Sequence, residues 1–388
     1  ARVLPPERIA LASALGRTLA GDASAPFDIP GFTNSAMDGF AVRGRDLPGG
    51  GEKEFRLIGE ILAGGAQPPE VAAGCCVRIM TGAAIPRGAD TVVMKENTRV
   101  DGQRVTVSAG TSSGANVRPA GEDYRSGEVG VARGEELTPA RLGVLASFGM
   151  AQVDVARRPR VVLLTTGDEL VEPGKPLGFG QIHDSNRHSL GALIEQHGAI
   201  LLRHERVRDD PPSLRDALSR AGADADLVVS SGGVSAGDAD FLPALIAEIG
   251  KVHFWKVRIK PGMPFLFGEV GGALAFALPG NPVSGIAIFL ALMKPALATL
   301  VGAKSQPTGL RARLALAIDK RHPRAEFQRA RLASDAHGGL WATPQTRQGS
   351  GMLRGVAEAD ALIALPEGVH AFSAGDVVEV LALPGWPR

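Results

Sequence analysis

Between Arg160 and about Gly302, apolar runs of strand length alternate with segments whose apolar residues recur every three or four positions. That alternation predicts an α/β domain with a mainly parallel sheet. RVVLLTT (160–166), AILLRHERV (199–207), DLVVSS (226–231), VHFWKVRI (252–259) and ALAFALP (273–279) read as its strands. A helix is expected from Ser185 to about His197 through Leu190, Leu193 and Ile194, and another from Pro211 with Asp210 as its N-cap. ADFLPALIAEIG (239–250) and the segment from Pro282 continue the helical series.

Upstream, CVRIM (76–80), TVVMKE (91–96) and RVTVS (104–108) sit between glycine-rich turns and predict a small β-rich module. Leu137 to Phe148 reads as helix. Ala1 to Ala20 does too, by the spacing of Ile9, Leu11, Leu15 and Leu19. Downstream, LRARLALAI (310–318), ARLAS (330–334), DALIALP (360–366) and VVEVLAL (377–383) alternate with period two, as in an antiparallel sandwich or barrel. The expectation is a multidomain α/β plus β chain. A helical/extended linker domain covers 1–27 plus 126–157, a β-rich inserted module 28–125, the α/β domain 158–303, and a C-terminal β-barrel-like domain 304–388.

Charge narrows the function classes. Lys+Arg is 42 against Asp+Glu 41, a net +1, so no global field recruits nucleic acid or an anionic membrane. At 5% aromatic content, stacking platforms for single strands are scarce. Glycine, 50 of 388 residues, is used at about twice the average rate, so turns and close backbone approaches are numerous. The two cysteines, Cys75 and Cys76, are adjacent, which excludes a disulfide framework or a four-cysteine metal site and points to a cytoplasmic setting. The longest apolar run, Val283 to Met293, falls short of the ~20 residues that span a bilayer and predicts a buried helix. No leader is visible, and patterning begins almost at once, so a missing natural start is expected.

Ligands of open α/β sheets bind beyond the carboxyl ends of the strands. Four polar, glycine-rich segments are expected there: TTGDEL (165–170), SSGGVSAGDAD (230–240), IKPGMP (259–264) and LPGNPVS (278–284). Gly232 and Gly233, and likewise Gly280 and Asn281, precede helices, where main-chain N–H groups can hold a phosphate. Lys256 and Lys260, four apart, are expected on one face of a strand, facing that ligand or solvent. Asp168, Glu169, Asp184, Asp209, Asp238 and Asp240 would repel a phosphate unless a hard cation such as Mg²⁺ bridges them, although capping also explains Asp184 and Asp238. The eight histidines, His183 and His188 included, show no zinc-ligand spacing, and no P-loop sequence is present.

Taken in order, PGFTNSAMDGFAV (30–42), RIMTGAAIPRGADTVVMKE (78–96), NVRPAGED (116–123), TTGDEL, DSN (184–186), SSGGVSAGDADF, FWKVRIKPG (254–262), LPGNPVS, EFQRARL (326–332) and QGS (348–350) resemble the molybdopterin molybdenumtransferase family, which takes in the MoeA proteins and the E domain of gephyrin. The resemblance covers essentially the whole chain. It implies a transferase of molybdenum cofactor synthesis that inserts molybdate into adenylylated molybdopterin, with Mg²⁺ required and AMP released. Asp38, Thr81, Glu169, Asp209, Asp240, Lys256 and Lys260 fall on the family's functional positions, Glu169 and Asp240 being the expected Mg²⁺ ligands. Its molybdate pocket falls on Lys260, Pro264, Ser284, Arg329 and Ser350. Ser235, Asp184, Ser185 and Pro279 join Gly232, Gly233, Gly280 and Asn281 as expected cofactor-binding positions.

The resemblance further implies a four-domain homodimer with its active site between subunits. Expected partners are the molybdopterin adenylyltransferase and molybdoenzyme acceptors, with no nucleic acid or membrane. Two other readings are a catalytically weak molybdopterin-binding scaffold and the related adenylyltransferase. Three residues depart from the family pattern: Thr33 for a usual Asp, Lys95 for a usual Gln, and Met263 for a usual Lys in KPGKP. The last removes a cation, so molybdate is expected to bind more weakly unless a neighbour such as Arg258 or Lys95 compensates.

Overall fold

The computed structural model describes residues 3–65, 70–234, 241–304 and 309–386. The chain forms two compact units, one of Ala1–Glu7, Gly16–Ala20 and Val155–Arg388, the other of Arg8–Leu15 and Gly21–Asp154. The larger holds a six-stranded sheet in the order Ile200–Val207, Arg160–Thr166, Leu227–Ser231, Ala273–Leu278, Leu266–Val270, Gly250–Trp255. The first four strands run parallel; Leu266–Val270 is antiparallel to Ala273–Leu278, and Gly250–Trp255 is antiparallel to Leu266–Val270 in turn. Successive side chains of a strand point to opposite faces, and both faces of this sheet are covered, which explains why residues 161–164 are apolar without interruption. Val161 and Leu163 pack one face with Leu190, Ile194 and Phe289. Val162 and Leu164 pack the other with Leu214, Leu218, Leu242 and Ile246.

The helices begin where the caps predict. Asp184 accepts from the Arg187 amide at 3.0 Å to start Ser185–Gln196, and Asp210 from the Ser213 amide at 2.9 Å to start Pro211–Asp224. The last helix outruns its apolar run, because neither Lys294 nor Pro295 ends it. A π turn at Phe289–Met293 joins Pro282–Ile288 to Lys294–Leu300, a local widening that accommodates the amide missing at proline. By length and composition this helix could cross a bilayer. Val283, Phe289, Met293, Leu297 and Leu300 are buried, which makes it a core helix.

The C-terminal β structure closes into a barrel. Ala325–Ser334, Leu340–Pro344, Leu310–Leu314, Val377–Ala382 and Ala361–Leu365 pair in that order, and the last returns to the first. Ala330, Ala342, Ile363 and Val380, all fully buried, fill its interior. A two-residue strand, Ile259–Lys260, runs parallel to the start of Ala325–Ser334 and sets Lys260 opposite Glu326.

The smaller unit carries a mixed sheet in the order Thr91–Met94, Gly39–Val42, Cys75–Ile79, Glu52–Ile61, Arg104–Ser108, Thr98–Asp101. Pro139–Ser147 is helical, capped by Thr138.

Three expectations fail. The described part of the expected N-terminal helix, 3–20, is not helical: Pro6–Ala10 is a strand, Leu11–Ser13 a single 3-10 turn, and Leu15 is 56% exposed. Its three-and-four spacing is overridden by pairing, as a weak local propensity readily is. VHFWKVRI is not one strand, because Lys256 turns to φ 67°. IKPGMP therefore leaves the sheet, and its strand residues Ile259 and Lys260 pair with the barrel instead.

Candidate functional site

Four parallel strands bring their carboxyl ends to one edge of the sheet, and Asp209, Glu169, Gly232 and Pro279 follow those ends in spatial order. The fourth polar end is thus the one carrying Asp209, not IKPGMP. Gly232 stands at φ 102°, where a Cβ would lie 2.7 Å from the Thr166 carbonyl oxygen, so no larger residue fits without movement. Asn186 ties the edge together by donating to Ser231 Oγ at 2.8 Å and to the Gly280 carbonyl at 2.7 Å. Thr166 Oγ1 and Asn186 Oδ1 are buried with no partner among the described residues. Unsatisfied polar atoms beside a glycine loop are what a polar ligand would complete.

Asp184, 3% exposed, is occupied as a cap and also accepts from Thr165 Oγ1 at 2.6 Å. Ser185 opens the helix behind it. Glu169 is exposed and makes no ion pair among the described residues. Ser235, Asp238 and Asp240 lie outside the described residues. Among those described, no three His, Cys, Asp or Glu side chains gather to hold a metal.

Beside this edge lies a cavity of about 440 Å³. Its lining includes Lys256, Lys260, Met263, Ser284, Arg324 and Glu326, with Pro264, Pro279, Asn281 and Ser350 at its walls. Although Lys256 and Lys260 share no strand, the turn between them brings both here. The Lys256 amide donates to the Phe265 carbonyl and the Val257 amide to that of Met263, each at 2.9 Å. Gly262 closes the turn on the core helix, where a Cβ would meet Ile288 Cγ1 at 2.6 Å.

Lys256 Nζ lies 4.4 Å from the centre of the Trp255 ring, a cation–π contact. Lys260 Nζ is 2.8 Å from Glu326 Oε1, and the other Glu326 oxygen is 3.1 Å from His322 Nε2. Burial favours the protonated form of Glu326, yet the hydrogen bonds from Lys260 and Gln328 outweigh it and hold the carboxyl below its ordinary range.

Arg329 does not line the cavity. Its guanidinium, 1% exposed, donates to the carbonyls of Gly349 and Arg347 at 3.0 and 2.6 Å. Gln348 completes the knot through the main chain of Arg329. Together they shape the loop whose Ser350 carbonyl receives the Val283 amide at 3.1 Å. Burial pushes the Arg329 guanidinium down from its ordinary value.

Asp38 and Thr81 lie in the smaller unit and meet each other. Gly39 pairs with Ile79, so the residues just beyond are neighbours, and the Thr81 amide and hydroxyl both donate to Asp38 Oδ1 at 2.8 Å. These bonds, with weaker help from Lys95 and Arg78, lower the Asp38 carboxyl below its ordinary range.

The sequence reading missed Arg324, Glu326 and His322. In EFQRARL the arginine carries the resemblance, and nothing in the alternation of its polar and apolar residues marks Glu326 as buried.

Comparison with known proteins agrees along the whole length. Family descriptions match in three blocks: the MoeA N-terminal region (domain I and II) over residues 1–149, a probable molybdopterin binding domain over 162–299, and the MoeA C-terminal region (domain IV) over 311–383. A molybdopterin molybdenumtransferase of Haemophilus influenzae is 38% identical over 96% of this chain and 93% of its own. One of a Nostoc species is 36% identical over 97% and 89%. A crystal structure of the molybdopterin biosynthesis moeA protein of Pyrococcus horikoshii superposes with a TM-score of 0.86 at 29% identity, covering 98% of this chain and 96% of that one.

Proposed function

The chain belongs to the molybdopterin molybdenumtransferase family, and from that premise we propose that it completes molybdenum cofactor synthesis by inserting molybdate into adenylylated molybdopterin with release of AMP. The observation that carries this reading is the cavity beside the carboxyl edge of the sheet. Three cations, one carboxylate and a buried serine hydroxyl in about 440 Å³ suit a tetrahedral dianion, which needs positive charge and hydrogen-bond donors together.

The strand ends supply the neighbouring subsite. The Gly232 amide is engaged by the Leu278 carbonyl at 3.0 Å, so the polar atoms left for a ligand beside this glycine loop are Thr166 Oγ1 and Asn186 Oδ1, which have no partner among the described residues. Glu169 reaches out from the same edge. A Mg²⁺ ion, held by one or two carboxylates plus phosphate oxygens as is usual for that metal, would neutralise charge on the leaving phosphate. Glu169 fits that donor set, and Asp240 is its proposed companion. Arg329 acts from behind, by fixing the loop that carries Ser350. A cytoplasmic homodimer, receiving substrate from an adenylyltransferase and passing product to molybdoenzymes, completes the proposal.

Purified chain supplied with adenylylated molybdopterin and molybdate should release AMP. Supplied instead with molybdopterin and ATP, it should form no adenylylated product. Turnover only with the second pair would make it the adenylyltransferase, and turnover with neither a binding scaffold.

A further inference from the structure

The cavity's three cations are not equivalent. Lys260 is paired at 2.8 Å with Glu326, and Lys256 stacks on Trp255. Arg324 has neither kind of partner. Among the described residues it forms no ion pair, and its contact in the cavity is Nη1 to Met263 Sδ at 3.9 Å, too long and too soft to satisfy a guanidinium donor. A planar fork of N–H donors, facing a cavity and balanced by no carboxylate, is suited to bidentate contact with an oxyanion.

We propose that Arg324 is the principal oxyanion-binding cation of this cavity and that the Met263 thioether packs against it and holds it in place. The assignment rests on the oxyanion reading of the cavity given above and adds a specificity-determining residue to it. It also replaces one expected compensator, because Arg258 is engaged with Glu367 at 3.5 Å. Methionine at 263 is then no defect. It is uncharged and flexible, and it lets a guanidinium occupy the space in which a lysine would repel it.

The test is calorimetric binding of molybdate alone to the full chain. Arg324→Gln should weaken binding about ten- to hundred-fold, the worth of one charge-assisted contact. Arg324→Lys, which keeps the charge and loses the fork, should fall between. Arg258→Gln should bind as the native chain does. Met263→Lys placed in the Arg324→Gln background should recover most of the loss, which also shows that the variant is folded. Native-like binding by Arg324→Gln overturns the assignment while leaving the oxyanion cavity standing, as does a loss that neither lysine recovers. No molybdate binding by the native chain overturns both.

Discussion

Replacing Glu326 by glutamine should destabilise the protein and strengthen its hold on molybdate at the same time. Glu326 is 4% exposed and pairs with Lys260 at 2.8 Å. Hydrogen bonds to charged groups contribute about 1.5–3 kcal/mol. Because the Lys260 side chain is 43% exposed, solvent screens its share, and about 2 kcal/mol in total is the reasonable loss. For a unit of this size that is a fall in Tm of about 4–8 °C. The sign with pH follows from the lowered Glu326 carboxyl. A group depressed in the folded state adds stability above its unfolded value and loses it as pH falls through the folded one. The gap between native and Glu326→Gln should therefore be full at pH 7 and close only as pH falls below the ordinary carboxylate range. Removing the charge also releases Lys260, and molybdate should bind roughly tenfold more tightly, about 1.4 kcal/mol. Calorimetric melts at pH 7, 5 and 4, with molybdate titrations at pH 7, test both halves. An unchanged Tm at pH 7, or weaker molybdate binding with the fold intact, would refute the reasoning.

Three further outcomes are expected. Gly232→Ala, which forces a Cβ against the Thr166 carbonyl at φ 102°, should cost about 1–3 kcal/mol and reduce binding of the adenylylated substrate more than of molybdate, read by parallel titrations. Cys76 is fully buried and its thiol is pushed up to about 12, chiefly by burial, so it should resist alkylation at pH 8 in the folded chain and react once urea unfolds it. His204 is lowered by burial, against the opposing pull of Asp184; stability should fall as pH drops from 7 toward 5, and His204→Gln should flatten that slope in denaturant titrations.

The parts of this molecule written locally could be read from the chain. The α/β alternation follows from apolar periodicity, and Asp184 and Asp210 announce their helices because a cap acts within three residues. What escaped depends on distant partners. Lys256 breaks its strand by turning to φ 67°, which its apolar and aromatic neighbours gave no sign of. Lys260 meets Glu326 only through a parallel register across 66 residues, so neither that ion pair nor the lack of one at Arg324 among the described residues could be seen in sequence. Arg329 carries the motif, yet its buried guanidinium serves main-chain carbonyls. The arginine that faces the cavity is five positions earlier, outside the matching motif EFQRARL.

The most direct test is the stoichiometry of AMP released against molybdenum gained, measured as molybdate is titrated into the chain with adenylylated molybdopterin and Mg²⁺. The account predicts one AMP per molybdenum bound in cofactor, saturating with molybdate and lost on chelation of Mg²⁺. AMP release that is indifferent to molybdate, or molybdenum gain without AMP, would contradict it.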